Sequence, residues 1–369
     1  MVDPSTIAEA LAPMSFPSGA VARNAVWLAP MTNVQSEPDG ALSEVEARWL
    51  LRRAEGGFGV VMTCAAYVSQ DGKAWVGQLG IDHDDRIPRL TELASGLRER
   101  GALGVVQLFH GGARAPAAVS GAMPWTASEV AEARSGLEVS RAATEDDIAK
   151  TITAFVEAAV RARRAGFDGV EVHGAHAYVL SQFLSTTMNR RDDRWGGPLE
   201  GRARFLREVV RGVRAACPAP FLVGVRLSPE DYASVTGLDL DESATVARWL
   251  AEDGVDWVHA SLWDHRQRSR KYLDENPFTR IRAAVPARVP VVAAGAFWTP
   301  AEVVAWRAEH GPGPIALGRA AILNPDWPRL AGTPGWEPRR PPMSPDELAA
   351  VDVGPPFVAY LRRWKGFVA

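Results

Sequence analysis

Cysteine is nearly absent: the 369-residue chain has two, Cys64 and Cys217. Two thiolates cannot build a four-cysteine iron–sulfur cluster or an all-cysteine structural zinc site, so both are excluded. A disulfide between them is not expected in a reducing compartment, and Cys64 sits in an apolar strand pattern, so both are expected as free thiols. Long apolar runs are also missing. None approaches the roughly 20 residues of a membrane span, and the amino terminus carries no basic-then-apolar signal, so the expected location is cytoplasmic. No single sign of charge dominates. Against 44 Asp and Glu stand 41 Lys and Arg, a formal net charge of -3, which offers no basic face to nucleic acid or to an anionic membrane. Apolar residues are plentiful at 47%, enough for one large α/β domain or two ordinary ones. With no linker, low-complexity tract or internal repeat, one domain over residues 1–369 is the simplest reading.

Eight short apolar runs punctuate the chain. They centre on Val26-Trp27-Leu28, Val60-Val61-Met62, Val105-Val106, Val170-Glu171-Val172, Leu222-Val223-Gly224-Val225, Trp257-Val258, Val291-Val292-Ala293 and Ile315-Ala316-Leu317. Helical patterns lie between them, opened by Ser43 with Glu46, Thr144 with Asp147, and Thr299-Pro300 with Glu302, each resembling a capping box. Strand and helix in alternation imply a parallel sheet. Eight units in about 300 residues, with no G-x-G-x-x-G after the first strand, predict a single (β/α)8 TIM barrel and not an open doubly wound sheet. From about 333 to 369 a tail leaves the barrel through the Pro-rich segment Pro334 to Ser344. Its apolar piece, Phe357 to Val368, is expected to pack on another subunit or on its own barrel.

The residues at the strand ends carry the chemistry. Gly166 to Phe205 is the most informative stretch, because a buried strand runs out into His173, His176 and Tyr178, three proton-handling groups at a carboxyl edge where catalytic residues of α/β proteins collect. Strand one ends in Pro30-Met31-Thr32, strand three in Gln107, strand five in Arg226, strand seven in Gly295-Ala296 and strand eight in Gly318-Arg319. Gly after strands seven and eight, with Arg319, would supply bare N–H groups and one bidentate cation for a phosphate. Taken singly, each has a plainer explanation. A lone histidine is more often a satisfied structural residue, Thr32 and Gln107 are ordinary strand-end polar groups, and Gly318-Arg319 could be a helix cap with a surface arginine. Arg226 is harder to explain away, since a guanidinium near a barrel interior needs an anionic or strongly polar partner. Two close histidines could hold a metal, but no third ligand stands at a sensible spacing, so none is expected.

In order and spacing, several segments resemble the Old Yellow Enzyme family of FMN-dependent NAD(P)H:flavin oxidoreductases and ene reductases: RNAVWLAPMT (Arg23 to Thr32), GVVQLFHGG (Gly104 to Gly112), AGFDGVEVHGAHAYVLSQFL (Ala165 to Leu184), NRRDDRWGG with Arg202, GVRLSPEDY (Gly224 to Tyr232) and ALGRAAILNPD (Ala316 to Asp326). The resemblance spans about Arg23 to Leu330. It implies that Pro30, Met31 and Thr32 lie under the flavin with the Thr32 hydroxyl near its O4/N5 edge. Ala65 is then the small residue beside the ring, Gln107 the amide on the pyrimidine edge, and Arg226 the cation beside N1 and O2, where positive charge favours the reduced flavin. Gly295, Ala296, Gly318 and Arg319 hold the phosphate. His173 and His176 become donors to a carbonyl or nitro oxygen of the substrate, and Tyr178, a phenol protonated at neutral pH, becomes the proton donor to the α carbon.

The implied reaction takes hydride from NAD(P)H and then reduces an activated alkene in the same site, ping-pong fashion. A homo-oligomer acting on small molecules, without nucleic acid or membrane, is the expected context. Departures from the family pattern include His176 where Asn is frequent, Ala177 for Gly, Cys64 for Glu and HGGAR (His110 to Arg114) for H-x-G-R. Loops bearing Trp75, Trp125 and Trp263 are expected to shape the pocket. Two other readings compete. Another phosphate-binding barrel enzyme would want a Schiff-base lysine or a carboxylate pair at the mouth, and no lysine ends a strand here. A flavin-binding protein without turnover would keep Arg226 and Arg319 and need no Tyr178.

Overall fold

Residues buried on both faces of a strand leave no polar alternation in the sequence, and each of the eight apolar runs forms such a strand. A computed structural model describes residues 4–133, 136–231 and 236–369. Tyr232 of the GVRLSPEDY segment lies outside them. The strands are β1 (Val26–Leu28), β2 (Val60–Tyr67), β3 (Leu103–Phe109), β4 (Gly169–Gly174), β5 (Leu222–Leu227), β6 (Trp257–Ser261), β7 (Val291–Ala294) and β8 (Ile315–Leu317). Each pairs in parallel with its sequence neighbours, and β8 pairs with β1, closing an eight-stranded barrel with helices between the strands. This is the (β/α)8 TIM barrel.

Strand alternation sorts the side chains into two cores. Val26, Leu28, Val61, Val106, Val170, Val172, Val223, Val225, Val291 and Leu317 face the helices, while Trp27, Val60, Met62, Val105, Leu222, Trp257 and Val292 fill the interior. A two-stranded ribbon, Met14–Ser15 with Val21–Ala22, precedes β1. It brings Phe16 into the interior, 5.7 Å from the Trp27 ring and 5.8 Å from Trp257, and the two indoles meet edge to face at 5.5 Å. Aromatic volume thus fills this part of the barrel. Farther along the strands the residues shrink to Ala29, Ala65, Ala294 and Ala316, all lining a cleft.

Two of the three helix-start signals are reciprocal capping boxes, Thr144 with Asp147 and Thr299 with Glu302. Ser43 accepts from the Glu46 N–H, but the Glu46 carboxylate does not return to the helix start. It is fully buried and takes Asn33 Nδ2 at 2.9 Å and the Ser36 hydroxyl instead, anchoring the segment after β1. A buried carboxylate needs donors more than a helix end needs a second cap. Cys64 and Cys217 are free and buried.

The tail lies on its own barrel. Met343 pairs with Val368, the Gly354 N–H donates to Gln35 Oε1 at 2.8 Å, the Phe357 ring meets Trp49 edge to face at 5.7 Å, and Arg53 Nη1 donates to the Val351 carbonyl. Among the described residues no helix is long and apolar enough to cross a membrane.

The interior admits no extra volume at Gly224, where a Cβ would fall 1.8 Å from Trp257 Cε2. That indole is pinned by Trp27, by Phe16 and by its own hydrogen bond, so it cannot step aside. Gly224→Ala is therefore expected to cost about 3 kcal/mol or more in urea denaturation. An alanine variant as stable as the parent would refute this packing.

Candidate active site

Every residue singled out at the strand ends lines one cleft of about 550 Å³ at the carboxyl edge of the barrel, a size within the range of roughly 300 to 1,000 Å³ usual for small-molecule and cofactor sites. Pro30, Met31 and Thr32 come from the segment after β1, Ala65 from β2, Gln107 from β3, His173 from β4, and His176 and Tyr178 from the turn after it. Arg226 belongs to β5, Gly295 and Ala296 follow β7, and Gly318 and Arg319 follow β8.

At the floor lies a carboxylate that sequence reading passed over as part of an apolar run. Glu171 is fully buried. Its Oε1 accepts from Gln107 Nε2 at 2.8 Å, and its Oε2 from Trp257 Nε1 at 3.0 Å and His259 Nδ1 at 2.8 Å. Burial opposes its ionisation, yet these donors and the nearby Arg226 outweigh that cost and hold the carboxyl below its ordinary range. His259 is itself pushed down by burial against the pull of Glu171. The pair therefore reads as a neutral imidazole donating to a carboxylate, and the positive charge balancing Glu171 is that of Arg226. With its NH2 committed to Glu171, the Gln107 amide turns its carbonyl oxygen to the cleft.

Arg226 is 8% exposed. Nη2 donates to Ser261 Oγ at 3.0 Å and Nη1 to the Pro30 carbonyl at 3.4 Å, while Nε, buried, has no partner among the described residues. An orphaned guanidinium N–H beside a cleft is a donor waiting for an acceptor on a ligand. At the other end of the cleft, a Cβ on Gly318 would meet nothing nearer than Met31 Sδ at 3.4 Å, so the backbone there is open to approach. The Arg319 side chain, exposed, pairs with no described residue. Gly295 is different. A Cβ there would strike His265 N at 2.8 Å and Leu262 Cβ at 2.9 Å, so packing by itself demands a glycine at this position of the cleft wall. Ala296 follows in a left-handed conformation, φ 55.

Above the floor stand the histidines and the tyrosine. The His173 and His176 rings are 5.0 Å apart and nearly perpendicular, and the Tyr178 ring lies 5.2 Å from His173 and 4.4 Å from Phe109. The Ala175 N–H donates to His173 Nδ1 at 3.3 Å, leaving Nε2 as the protonated nitrogen. His173 is 4% exposed, and burial, then His176 and Arg226, hold it well below its ordinary pKa, hence neutral. Desolvation and Arg226 act the same way on His176. That residue is more exposed, so water reaching the cleft weakens the effect there. Burial raises the Tyr178 phenol while Arg114, 5.2 Å over its ring, opposes the rise. The phenol stays protonated, and its hydroxyl bonds to no described residue.

The turn carrying these groups is strained. His176 and Ala177 are both left-handed, φ 60 and 55, at a cost of roughly 1–2 kcal/mol for each residue with a Cβ. Ser228 Oγ accepts the His176 N–H at 3.1 Å, and Arg114 Nη1 donates to the His176 carbonyl at 2.8 Å. Two neighbouring loops thus hold the turn in a shape it would not choose alone.

Trp75 and Trp263 line the cleft, but Trp125 does not. Its Nε1–H donates to Asp71 Oδ2 at 2.9 Å and its ring packs 4.9 Å from His110, bracing the loops from behind. The tail supplies a wall that sequence reading left unassigned: Phe357, Tyr360, Leu361, Trp364 and Phe367 face the same cleft. Among the described residues no group of three or more His, Cys, Asp and Glu could hold a metal ion.

Residues 11–333 match the model of the NADH:flavin oxidoreductase / NADH oxidase family. A probable NADH-dependent flavin oxidoreductase of Bacillus subtilis (strain 168) is 36% identical over 322 residues, 85% of each chain. An NADH:fumarate oxidoreductase of Klebsiella pneumoniae (strain 342) is 33% identical over 86% of this chain, which spans only 35% of that protein. The structure of the old yellow enzyme homologue from Zymomonas mobilis superposes with a TM-score of 0.80 at 26% identity, covering 89% of this chain and 94% of that one.

A buried neutral imidazole has a stability signature. The folded pKa of His173 lies below the unfolded value of about 6.5, so the unfolded chain binds the extra proton and stability falls as pH drops from about 6.5 toward the folded value. Urea denaturation between pH 7.5 and 5.5 is expected to show that fall, with a shallower slope in His173→Asn. An identical slope in the variant would mean that His173 is not held neutral.

Proposed function

Because the chain belongs to the NADH:flavin oxidoreductase / NADH oxidase family, which includes the Old Yellow Enzymes, we propose that it reduces the C=C bond of activated alkenes, α,β-unsaturated carbonyl or nitro compounds, with NAD(P)H as the source of hydride. It is an FMN enzyme of the NAD(P)H-dependent kind. FMN, when bound, supplies a centre that accepts hydride and gives it up again.

The cleft suits that group. The free Gln107 carbonyl and the orphaned Arg226 Nε are an acceptor and a donor for the polar edge of a flat ring. Ala29, Ala65, Ala294 and Ala316 leave room for such a ring. Pro30, Met31 and Thr32 line the same cleft and would flank the ring, with the Thr32 hydroxyl available to it. Open backbone at Gly318, the Ala296 turn and unpaired Arg319 would hold the phosphate.

The observation that carries the reading is the trio above the floor. His173, neutral with its proton on Nε2, and His176 beside it donate hydrogen bonds to one oxygen of the substrate, and that oxygen gains negative charge as hydride reaches the β carbon. Neutral donors do this without first losing a proton to the enolate. Tyr178, unbonded and protonated, delivers a proton to the α carbon. Buried Arg226 would hold the polar edge of the cofactor and supply a fixed positive charge that favours its reduced form. One cleft serves the two substrates in turn, which makes the kinetics ping-pong. The fumarate in the name of the Klebsiella pneumoniae relative is itself an activated alkene.

The purified protein is expected to be yellow and to oxidise NAD(P)H in the presence of an enone. Stopped-flow measurement of the two half-reactions should find the alkene step slowed by about 10²-fold or more in Tyr178→Phe, with flavin reduction by NAD(P)H changed less than about threefold. Equal slowing of both would remove Tyr178 from the proton-donor role, and a colourless protein that does not retain added FMN would end the proposal.

A further inference from the structure

We infer that Ser261 is a positioning residue that, held by Arg226, fixes the imidazole of His176 as its Nδ1–H tautomer; the inference rests on the substrate-binding reading of the histidine pair. Ser261, the last residue of β6, is 5% exposed. Its Oγ stands 3.0 Å from Arg226 Nη2 and 2.7 Å from His176 Nε2.

The assignment follows from counting protons. A guanidinium can only donate, so Arg226 occupies a lone pair of Oγ and leaves the hydroxyl proton in need of an acceptor. Among the described residues Oγ has one other hydrogen-bond partner, His176 Nε2. Were Nε2 protonated, two donors would converge on the hydroxyl and its own proton would be stranded in a buried place. With Nε2 as acceptor, every proton on the line from Arg226 through Ser261 to His176 has a destination. The neutral ring then carries its single proton on Nδ1.

His173 is the converse case. There the Ala175 N–H occupies Nδ1 and leaves the proton on Nε2. The end of β4 and the turn after it therefore present two imidazoles locked in opposite tautomers, the first by neighbouring backbone and the second by a side chain two strands away. Each ring keeps one N–H that the protein does not consume. The line also ties the guanidinium on the floor to a donor above it, so the cofactor side and the substrate side share one hydroxyl.

The test uses the FMN-loaded protein with ¹⁵N-labelled histidine, the His176 ring signals being identified by their loss in His176→Asn. The expected pattern is a protonated Nδ1 and an unprotonated, hydrogen-bonded Nε2. Ser261→Ala should abolish that pattern, and Ser261→Thr, which keeps the hydroxyl, should restore it. The dissociation constant of a phenol, read from its charge-transfer band, should rise about tenfold in Ser261→Ala and less than about threefold in Ser261→Thr. A wild-type ring protonated on Nε2, or an alanine variant with unchanged ring signals and phenol affinity, overturns the assignment. The wild-type spectrum alone decides if the alanine variant does not fold. Intact enone turnover alongside a wrong tautomer would sink this inference and leave the reductase reading standing, whereas an enzyme that never turns over enones fails at the earlier step.

Discussion

A carboxylate sealed inside a barrel has to be answered by donors and by charge, and the active-site floor is organised by how Glu171 is answered. Three side chains from two strands spend N–H groups on it, and Arg226 on a third strand supplies the compensating positive charge. Each donor is fixed by the bond it makes. Gln107 is left with a carbonyl to offer, Trp257 is anchored over Gly224, and Arg226 has an N–H to spare. A polar cluster of this kind is costly when half satisfied and directional when complete. Here it converts the barrel interior, otherwise an aromatic plug, into a floor with a defined pattern of donors and acceptors.

The walls are assembled from parts distant in sequence. The end of β4 brings His173, and the turn after it brings His176 and Tyr178 and is held off its preferred backbone by Ser228 and Arg114. The tail contributes aromatic side chains from residues 357–367, tied down through Gln35 and Trp49. Resistance of His173 to protonation comes from its burial, then from His176 and Arg226.

Much of this was legible in the sequence because barrel strands read as continuous apolar runs, against which a polar residue stands out. His173, Arg226 and Gln107 were visible for that reason, and a glycine after each of the last two strands marked the remaining rim. What escaped notice has equally definite causes. Glu171 is flanked by valines and was absorbed into the run that contains it, although an acid in such a place demands partners. Ser228 and Ser261 are the sort of residue found at any strand end, and only distances reveal that each bonds to His176. Trp125 belongs to a mouth loop in sequence but turns its ring to His110, a choice made by the Asp71 acceptor. At Gly295 only the structure adds that His265 and Leu262 crowd its α carbon, a packing demand for glycine that no local pattern reports. The tail wall joins residues separated by more than 300 positions, as between Gln35 and Gly354, and no local pattern reports that.

The paired left-handed residues His176 and Ala177 also limit how such an enzyme can diversify. Branched or bulky side chains are poorly tolerated in that backbone region, while Gly, Asn, Asp and His enter it at least cost. The turn that bears the chemistry is therefore restricted to a small alphabet. Trp263 and the tail residues Phe357, Tyr360 and Trp364 line the same cleft from backbone without left-handed φ, so exchanges there can reshape its mouth without meeting that restriction.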